Sequence, residues 1–276
     1  MIRALSFALV ALGLLSGPTQ VRAQSAPADV RPRYRIDPVA DPALVAASLG
    51  FAVLSEAVIH SGELAVVTPG PTSRILGIDR WVAERDGPLA GSDLTSTLAV
   101  GALMAWGVAD SALTGTVRDG DGWSELAIYV EVLLVNWAVG NLAKLAVRRP
   151  RPRAYLQVRE TGSVDGDTDT SLSFYSLHSA FAAGMTAAAS YLAFRRDPGS
   201  ALAWTTLGVG TALTLFTGLQ RMLAMAHFPT DVLAGILVGG GIGLLVAHAH
   251  SADSAVSVLP ATDGSSWLGG LVGGQF

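Results

Sequence analysis

The chain contains no cysteine and few charged residues. None of its 276 residues is a cysteine, which excludes disulfide bonds and thiolate metal sites. Charged residues make up 14 % of the chain, against about 25 % in a typical soluble domain, and half of the residues are hydrophobic. The net charge is −4, whereas binding of nucleic acid normally needs a cluster of basic residues. This composition favours a membrane protein and gives no reason to expect a nucleic-acid partner.

The first 42 residues resemble an export signal followed by a linker. Arg3 supplies positive charge, residues 4–15 are mostly apolar, and Val21-Arg22-Ala23 offers small residues at a signal-peptidase site. We expect residues 1–23 to be a signal peptide-like segment, with an uncleaved signal anchor as the alternative. Residues 24–42 are rich in proline and polar side chains, which predicts a flexible linker.

Five strong apolar segments and one marginal segment predict the fold of the remainder. The strong segments are residues 94–113, 126–147, 180–194, 202–219 and 232–246, and the marginal one is 43–59. Each is near the ~20 residues that a helix needs to cross a bilayer. We therefore predict an all-α multi-helix bundle over residues 43–250, embedded in the membrane through five or six apolar helices. Residues 251–276 form a C-terminal tail whose short alternating apolar residues suggest a hairpin of no assigned function.

Three polar residues interrupt the second strong segment. Glu131, Asn136 and Asn141 are spaced five residues apart, so they occupy different faces of the helix. Polar side chains within membrane helices usually face the interior of the bundle. We expect these three to make helix–helix hydrogen bonds rather than to act directly in catalysis.

Three short clusters at the ends of apolar segments carry the residues suited to chemistry. The first is Lys144, six residues, then Arg151-Pro152; the second is Ser176-Leu177-His178; the third is Arg221, five residues, His227, three residues, Asp231. Together they supply three cations, two imidazoles and one carboxylate. Such a set favours phosphoryl transfer, because that reaction depends mainly on positioning and charge stabilisation.

The cations of these clusters are suited to binding a phosphoryl group. Lys144, Arg151 and Arg221 can neutralise its oxygens, and arginine offers forked donors that match them. The structural alternative is that basic residues beside an apolar helix anchor it at the membrane surface. That alternative, or simple surface charge, is our expectation for the neighbouring Arg148, Arg149 and Arg153.

The remaining members of the clusters are suited to binding an anion and to acid–base chemistry. Ser176 to His178 precede an apolar helix, whose N-terminal amides form a natural anion site. His227 has Asp231 four residues further on as an orienting carboxylate, which makes His227 a candidate nucleophile. His178 is then free to protonate the leaving oxygen as a general acid.

With these spacings the chain resembles the type-2 phosphatidic acid phosphatase superfamily over about residues 94–246. Its signature is Lys, six residues, Arg-Pro; then Pro-Ser-Gly-His; then Ser-Arg, five residues, His, three residues, Asp. The resemblance implies that His227 is the nucleophile, His178 the general acid and Asp231 the orienting carboxylate. It also implies that Lys144, Arg151, Arg221, Ser176 and the backbone N–H of Leu177 bind phosphate, without a metal or another cofactor.

Three positions depart from the signature. Tyr175 replaces its proline, Leu177 its glycine and Gln220 its second serine. A leucine retains the backbone N–H, but its side chain can crowd the pocket or demand a different backbone angle. Because every ionisable member of the signature is present, we expect activity with an altered rate or substrate shape.

The charge pattern predicts a topology that is in conflict with the export signal. The Arg195-Arg196 turn is expected in the cytoplasm, which places all three clusters in the periplasm of a bacterial inner membrane. If residues 43–59 crossed the membrane, they would have to start in the cytoplasm, whereas a cleaved signal leaves Gln24 in the periplasm. We favour a membrane protein whose first segment does not cross; the other routes are an unprocessed signal and a wholly periplasmic protein.

The leading hypothesis is hydrolysis of a lipid phosphate or a lipid pyrophosphate at the membrane surface. The alternatives are a soluble or peripheral periplasmic acid phosphatase of broad specificity and a degenerate member that binds lipid phosphate without cleaving it. A haloperoxidase is a third alternative, since vanadium haloperoxidases have a similar phosphate site. The expected partners are the lipid substrate and the membrane, and the sequence indicates no protein partner. We also expect activity to survive EDTA, because no other Asp/Glu/His set with ligand spacing is evident.

Overall fold

The structure is a computed structural model that describes residues 33–113, 121–252, 254, 257–259 and 271–273. The helices are α1 (Ala40–His60), α2 (Gly77–Ala83), α3 (Ser92–Asp110), α4 (Gly122–Val147), α5 (Pro152–Thr161), α6 (Leu177–Arg196), α7 (Ala201–Leu223) and α8 (Pro229–Ala249). Short 3₁₀ helices cover Thr72–Arg74 and Thr168–Ser171. In the tail, β1 (Ser257–Leu259) pairs antiparallel with β2 (Leu271–Gly273). The predicted all-α bundle is confirmed, and the predicted signal segment, residues 1–23, lies outside the described residues.

Each of the six predicted apolar segments corresponds to one long helix of the bundle, although the segment 94–113 runs past the end of its helix at Asp110. The marginal segment, residues 43–59, is helix α1 and extends by only a few residues at its N-terminal end. The two shorter helices, α2 and α5, were not predicted, because neither has a long apolar run. Helix α5 begins at Pro152, whose fixed φ and missing N–H suit the first position of a helix.

Among the described residues, five helices are long and apolar enough to cross a membrane, namely α1, α3, α4, α7 and α8. Their outward faces expose large apolar side chains, among them Leu54 at 69 % and Leu245 at 70 %. Apolar surface of this extent is suited to lipid rather than water. The chain is therefore a membrane protein. Because α1 belongs to this group, its composition gives no support to the interpretation that it does not cross.

Helix α6 crosses α8 at very short distance, and small residues permit this approach. Along one face of α8, glycines recur every four residues at Gly235, Gly239 and Gly243. A Cβ on Gly239 would lie 2.3 Å from the carbonyl oxygen of Ala180, and one on Gly235 would lie 2.5 Å from that of Ser176. This crossing brings the first turns of α6 and α8 together.

The polar residues of α4 have different partners. Asn141 donates from Nδ2 to Ser55 Oγ at 2.9 Å and to Glu56 Oε1 at 3.1 Å, which confirms a helix–helix hydrogen bond with α1. Asn136 instead donates to the carbonyl of Val132 within its own helix. Glu131 faces the imidazole of the residue that follows α8, in a group described below.

The end of α6 carries Arg195 and Arg196, and Arg196 does more than anchor the helix at the membrane surface. Arg196 forms ion pairs with Asp110 at the end of α3 and with Glu125 in the first turn of α4, the latter at 3.4 Å. All three side chains are at most 9 % exposed. Arg196 therefore has a structural role in joining three helices, which weakens the charge argument for a cytoplasmic turn.

Candidate active site

The three clusters meet at one end of the bundle, where α4 and α7 end and α5, α6 and α8 begin. Lys144 lies in the last turn of α4, Arg151 is the N-cap of α5, Ser176 is the N-cap of α6, Arg221 lies in the last turn of α7, and Asp231 lies in the first turn of α8. His227 directly precedes the N-cap of α8, Phe228. Contacts between residues far apart in sequence join the clusters into one site.

His227 is only 2 % exposed, and its two ring nitrogens have different surroundings. Nδ1 lies 2.6 Å from the carbonyl oxygen of Ser173. A carbonyl can only accept, so Nδ1 carries the hydrogen and Nε2 presents a lone pair. Nε2 lies 3.2 Å from Nη1 of Arg151. This is the tautomer that a nucleophilic imidazole needs.

Burial and nearby positive charge keep this imidazole neutral. Burial is the largest cause that lowers the pKa of His227, followed by the charges of Arg151, Arg221 and Lys144. The hydrogen bond to Ser173 opposes them only in part. The pKa of His227 therefore lies well below its usual value of about 6.5, and Nε2 is unprotonated at neutral pH.

Arg151 is held by contacts on both sides of its guanidinium. Its Nε donates to the carbonyl oxygen of Asp169 at 2.7 Å, and Nη2 donates to the Asp169 carboxylate at 2.6 Å. Nη1 donates to the carbonyl of Ala226, the residue directly before His227, at 2.9 Å. Burial alone would raise the pKa of Asp169, but Arg151, Lys144 and Arg153 outweigh it and hold that pKa below its usual range. Asp169 is thus an ionised partner that positions Arg151, and the sequence analysis did not identify it.

Arg221 reaches from α7 to α3. Its Nη1 donates to Asp93 Oδ1 at 2.5 Å and to Ser96 Oγ at 3.4 Å. Within the described part of the chain, its Nε is buried without a hydrogen-bond partner, so a donor remains for an anion. The neighbouring Gln220, which replaces the signature serine, accepts from Thr95 Oγ1 at 3.1 Å and therefore faces α3.

The expected direct contact between Asp231 and His227 does not form, and that expectation was wrong. The Asp231 carboxylate accepts from Arg149 Nη1 at 2.6 Å, from Ser173 Oγ at 2.5 Å and from the backbone N–H of Phe228 at 2.9 Å. The physical reason is its position in the first turn of α8, from which the side chain turns back to cap the helix. Asp231 thus reaches the imidazole only through Ser173, whose hydroxyl it binds and whose carbonyl contacts Nδ1.

Arg149 is part of the site's framework, although it was expected to be surface charge or an anchor. It bridges Asp231 to Asp79 of α2, donating to the latter at 2.8 Å, and its guanidinium lies 4.1 Å from the centre of the Phe228 ring. Asp79 is fully buried and also accepts from the backbone N–H of Thr230 at 3.0 Å. No sequence signal marked Asp79, because it lies in a short helix 70 residues before its partner Arg149.

The other two neighbouring arginines differ in their contacts. Arg153 pairs with the second carboxylate oxygen of Asp169 at 2.8 Å and is 36 % exposed. Arg148 donates to the backbone carbonyl of Ala65. Arg153 thus helps to hold Asp169 in place, and Arg148 joins the end of α4 to the loop after α1.

The second cluster begins α6. Ser176 is fully buried, and its Oγ accepts from the Ser179 hydroxyl at 2.9 Å and, more distantly, from the Ser179 N–H at 3.4 Å. It acts as the N-cap of α6, and the binding of an anion by the first amides of this helix stays a prediction. Leu177 is the first helical residue and does not have a positive φ, so leucine does not strain the backbone there.

His178 lies in the first turn of α6, and its Nε2 is 3.3 Å from Thr97 Oγ1 of α3. Burial is the largest cause that lowers the pKa of His178, and Arg221, Lys144 and Arg151 lower it further. The same three cations therefore act on both imidazoles, which places His178 and His227 in one electrostatic environment. A bound phosphate would oppose these charges and raise the pKa of His178.

These features define a helical membrane protein with a cationic site around two histidines. Residues 125–254, which include all three clusters, match the family model of the PAP2 superfamily. Among solved structures, the chain is similar to a transmembrane PAP2-type phosphatidylglycerolphosphate phosphatase from Bacillus subtilis. The identity is 18 % and the TM-score 0.36, over 89 % of this chain and 94 % of that one. No curated protein matches the chain.

The expectation that no other Asp/Glu/His set has ligand spacing was wrong. Asp41, Glu131 and His250 bring one potential ligand atom each to within 4.8 Å of the others. They are 90 residues or more apart in sequence, so no local spacing could reveal them. None of the three contacts the phosphate-binding residues described above.

Proposed function

We propose that this protein hydrolyses a lipid phosphate or a lipid pyrophosphate through a phosphohistidine intermediate on His227. The observation that carries the proposal is the geometry of His227, with Nδ1 at 2.6 Å from a carbonyl and Nε2 at 3.2 Å from Arg151. A neutral, correctly oriented imidazole beside a phosphate-binding guanidinium is arranged for attack on phosphorus. Among the described residues, the one Asp/Glu/His group close enough to hold a metal ion lies outside this site.

In the first step, the phosphoryl group binds among Lys144, Arg151 and Arg221 and the first amides of α6. Nε2 of His227 attacks phosphorus and forms an N–P bond, while the bond to the leaving oxygen breaks. Its Nδ1–H remains on the Ser173 carbonyl, which supports the positive charge that develops on the ring. The leaving alkoxide takes a proton from His178.

In the second step, water hydrolyses the N–P bond. His178, now neutral, accepts a proton from the water as its oxygen attacks phosphorus, and His227 leaves as the neutral imidazole. Inorganic phosphate departs, and His178 is protonated again for the next cycle. Asp169 and Asp93 hold the guanidinium groups of Arg151 and Arg221 in position throughout.

The position of the site favours a lipid substrate. The catalytic residues lie at the ends of helices that can cross a membrane, so the site is at the level of the lipid headgroups. The exposed apolar side chains of the same helices argue against the soluble acid phosphatase, which should be released by osmotic shock without detergent. We further propose that the site faces the periplasm of a bacterial inner membrane.

Trapping of the intermediate tests the proposal. The purified protein is mixed in detergent, with EDTA, with phosphatidic acid labelled in the phosphate and is quenched in alkali, in which phosphohistidine persists. We expect label on the wild type and none on His227→Ala. The matched control is His248→Ala, since His248 is exposed and contacts Tyr191 far along α8. Label on His227→Ala, or phosphate release by wild type that never labels, would contradict the mechanism.

A further inference from the structure

A second group of ionisable side chains lies at the opposite end of the bundle from the catalytic site. Asp41 is in the first turn of α1, Glu131 is within α4, and His250 follows the last residue of α8. Asp231 starts the same helix α8, whose 21 residues span about 31 Å at 1.5 Å per residue. The group is thus separate from the phosphate site and has no part in the proposed reaction.

The imidazole of His250 is oriented towards both carboxylates. Its Nδ1 lies 2.8 Å from the carbonyl oxygen of Val246, so Nδ1 carries a hydrogen and Nε2 faces the group. Nε2 lies 3.3 Å from Asp41 Oδ2 and 3.4 Å from Glu131 Oε2. A ring N–H that donates to a backbone carbonyl is the usual arrangement for a metal-binding histidine.

The burial of this group leaves its polar atoms unsatisfied. Glu131 is 1 % exposed, and within the described residues neither of its carboxylate oxygens has a hydrogen-bond donor. His250 is 7 % exposed, and its Nε2 is close to both carboxylates but lacks hydrogen-bond geometry. Asp41 is better satisfied, because its Oδ2 accepts from the backbone N–H of Asp37 at 2.7 Å. Glu131 is buried and Asp41 is partly buried, so beside one imidazole, even a protonated one, the two carboxylates leave excess negative charge, which is costly without a cation.

The charge and spacing of the group match a divalent cation. Two carboxylates and a neutral imidazole balance a charge of +2, which suits a site in a membrane protein. Tetrahedral Zn²⁺ with bonds of about 2.0–2.1 Å places its ligands about 3.3 Å apart. The separations of 3.3 Å and 3.4 Å from Nε2 agree with that spacing. Imidazole with carboxylates favours a cation such as Zn²⁺ over Mg²⁺ or Ca²⁺, which prefer oxygen ligands.

We propose that Asp41, Glu131 and His250 form a structural site for one divalent cation of the zinc class. The cation would join the start of α1 to α4 and to the end of α8 and would stabilise the bundle far from the catalytic histidines. Water would complete its coordination. The site thus makes the folded state dependent on a metal, while catalysis remains independent of it.

Metal content and thermal unfolding of the full-length protein, purified in detergent without a polyhistidine tag, test this inference. We expect about one Zn²⁺ per chain after exposure to ZnCl₂ and dialysis. EDTA should lower the Tm, and added ZnCl₂ should restore it. Zn²⁺ at 100-fold over its Kd should raise the Tm by about 5–10 °C for a chain of this size. The initial phosphatase rate at 25 °C should be the same with and without EDTA.

Variants separate this site from adventitious metal. His250→Gln and Glu131→Gln should each lose the bound Zn²⁺ and the Tm response. The control is His60→Gln, because His60 lies 3.3 Å from Glu56 but is 56 % exposed. Zinc retained by His250→Gln or Glu131→Gln would show adventitious binding and overturn the inference. If those variants do not fold, the wild type alone tests the inference. A wild type that binds no zinc and whose Tm does not change with EDTA would overturn it. Loss of the rate in EDTA would count against the proposed phosphatase mechanism instead.

Discussion

The side chain of Leu177 packs against α4 at Gly140, in the space that a larger residue at position 140 would fill. A Cβ on Gly140 would lie 2.7 Å from Cδ1 of Leu177 and 3.7 Å from the ring of Tyr175. Leu177 and Tyr175 are two of the departures from the family signature. Leu177 and Tyr175 therefore both occupy the space beside Gly140 of α4, so these two departures are accommodated by the packing of the helices.

This packing predicts that Gly140 and Leu177 are energetically coupled. Gly140→Ala should push the Leu177 side chain aside, disturb the start of α6 and lower kcat/KM for a lipid phosphate. In a Leu177→Ala background the same change should have little effect, because the colliding Cδ1 atom is gone. The coupling in a double-mutant cycle should be about 0.5–3 kcal/mol. Additive effects on kcat/KM would show that the contact does not shape the site.

The packing also predicts the effect of Leu177→Gly. Because the leucine packs on α4, its removal should lower the Tm by a few degrees while turnover is retained. Turnover that collapses in a folded variant would show that the leucine itself is needed for catalysis.

The crossing of α6 and α8 predicts unequal effects for two glycines of α8. Gly239→Ala would place a Cβ 2.3 Å from the carbonyl oxygen of Ala180, a backbone atom that cannot move without displacing α6. We expect a loss of stability of about 1–3 kcal/mol and a fall in kcat, since the start of α6 carries His178. Gly241→Ala is the matched control, because its Cβ would meet nothing within 4 Å and alanine favours a helix. Thermal unfolding and kcat in detergent measure both effects, and equal effects would refute the close crossing.

The indirect contact of Asp231 with the nucleophile predicts an order of severity. Asp231→Asn places an amide where three donors converge, so it should break the pair with Arg149 and cost about 3–5 kcal/mol of stability. Ser173→Ala removes only the hydroxyl and keeps the carbonyl that contacts Nδ1 of His227. We therefore expect Ser173→Ala to lower kcat by less than about tenfold and Asp231→Asn to lower kcat and the Tm together. A larger kcat loss in Ser173→Ala would mean that the hydroxyl orients the imidazole.

The helices and the motif residues could be predicted because their signals are local. A run of apolar residues of helical length is by itself enough to predict an apolar helix. The signature spacings then place the charged groups at the ends of such helices. The six predicted segments therefore became six helices, and the predicted cations and histidines lie in one site. The residues that support this site had no such signal.

The missed residues depend on contacts between distant parts of the chain. Asp79 and Asp169 look like loop or short-helix acids in the sequence, and only the fold brings them to Arg149 and Arg151. The group of Asp41, Glu131 and His250 is similar, because its members come from α1, from α4 and from the residue that follows α8. For Asp231, the sequence spacing correctly places the residue near His227 but does not give the orientation of its side chain. The carboxylate caps helix α8 and therefore points away from the imidazole.

The topology predicts unequal labelling of two introduced cysteines. Ser163→Cys lies in the exposed loop after α5, at the catalytic end, and Gly199→Cys lies in the exposed turn before α7. Thr168, a simpler choice from the sequence, is only 3 % exposed and unsuited. In spheroplasts a membrane-impermeant thiol reagent should label Ser163→Cys and should reach Gly199→Cys only after lysis. The native chain has no cysteine, so background is absent. Labelling of both in intact cells would favour a wholly periplasmic protein.

The proposed role of His178 predicts that its importance depends on the leaving group. A lipid phosphate releases an alkoxide that needs a proton, whereas p-nitrophenolate leaves without one. His178→Ala should therefore fail on lipid phosphates and keep partial activity on p-nitrophenyl phosphate. General acid catalysis contributes about 10²–10⁴-fold, so the two substrates should differ by about that factor. An equal loss on both substrates would assign His178 to binding or to structure.

The lowered pKa of His178 adds a pH dependence with a definite sign. Burial and the charges of Arg221, Lys144 and Arg151 disfavour the imidazolium, so in the free enzyme His178 is mostly neutral at pH 7 and cannot donate. The kcat/KM for a lipid phosphate should therefore rise as the pH falls below 7. Bound phosphate opposes the cations and raises the pKa of His178, so the basic limb of kcat should lie at higher pH than that of kcat/KM. The residual activity of His178→Ala on the same lipid phosphate should lack this basic limb, while ionisation of the substrate affects both proteins alike. A basic limb that persists unchanged in His178→Ala would show that another group donates the proton.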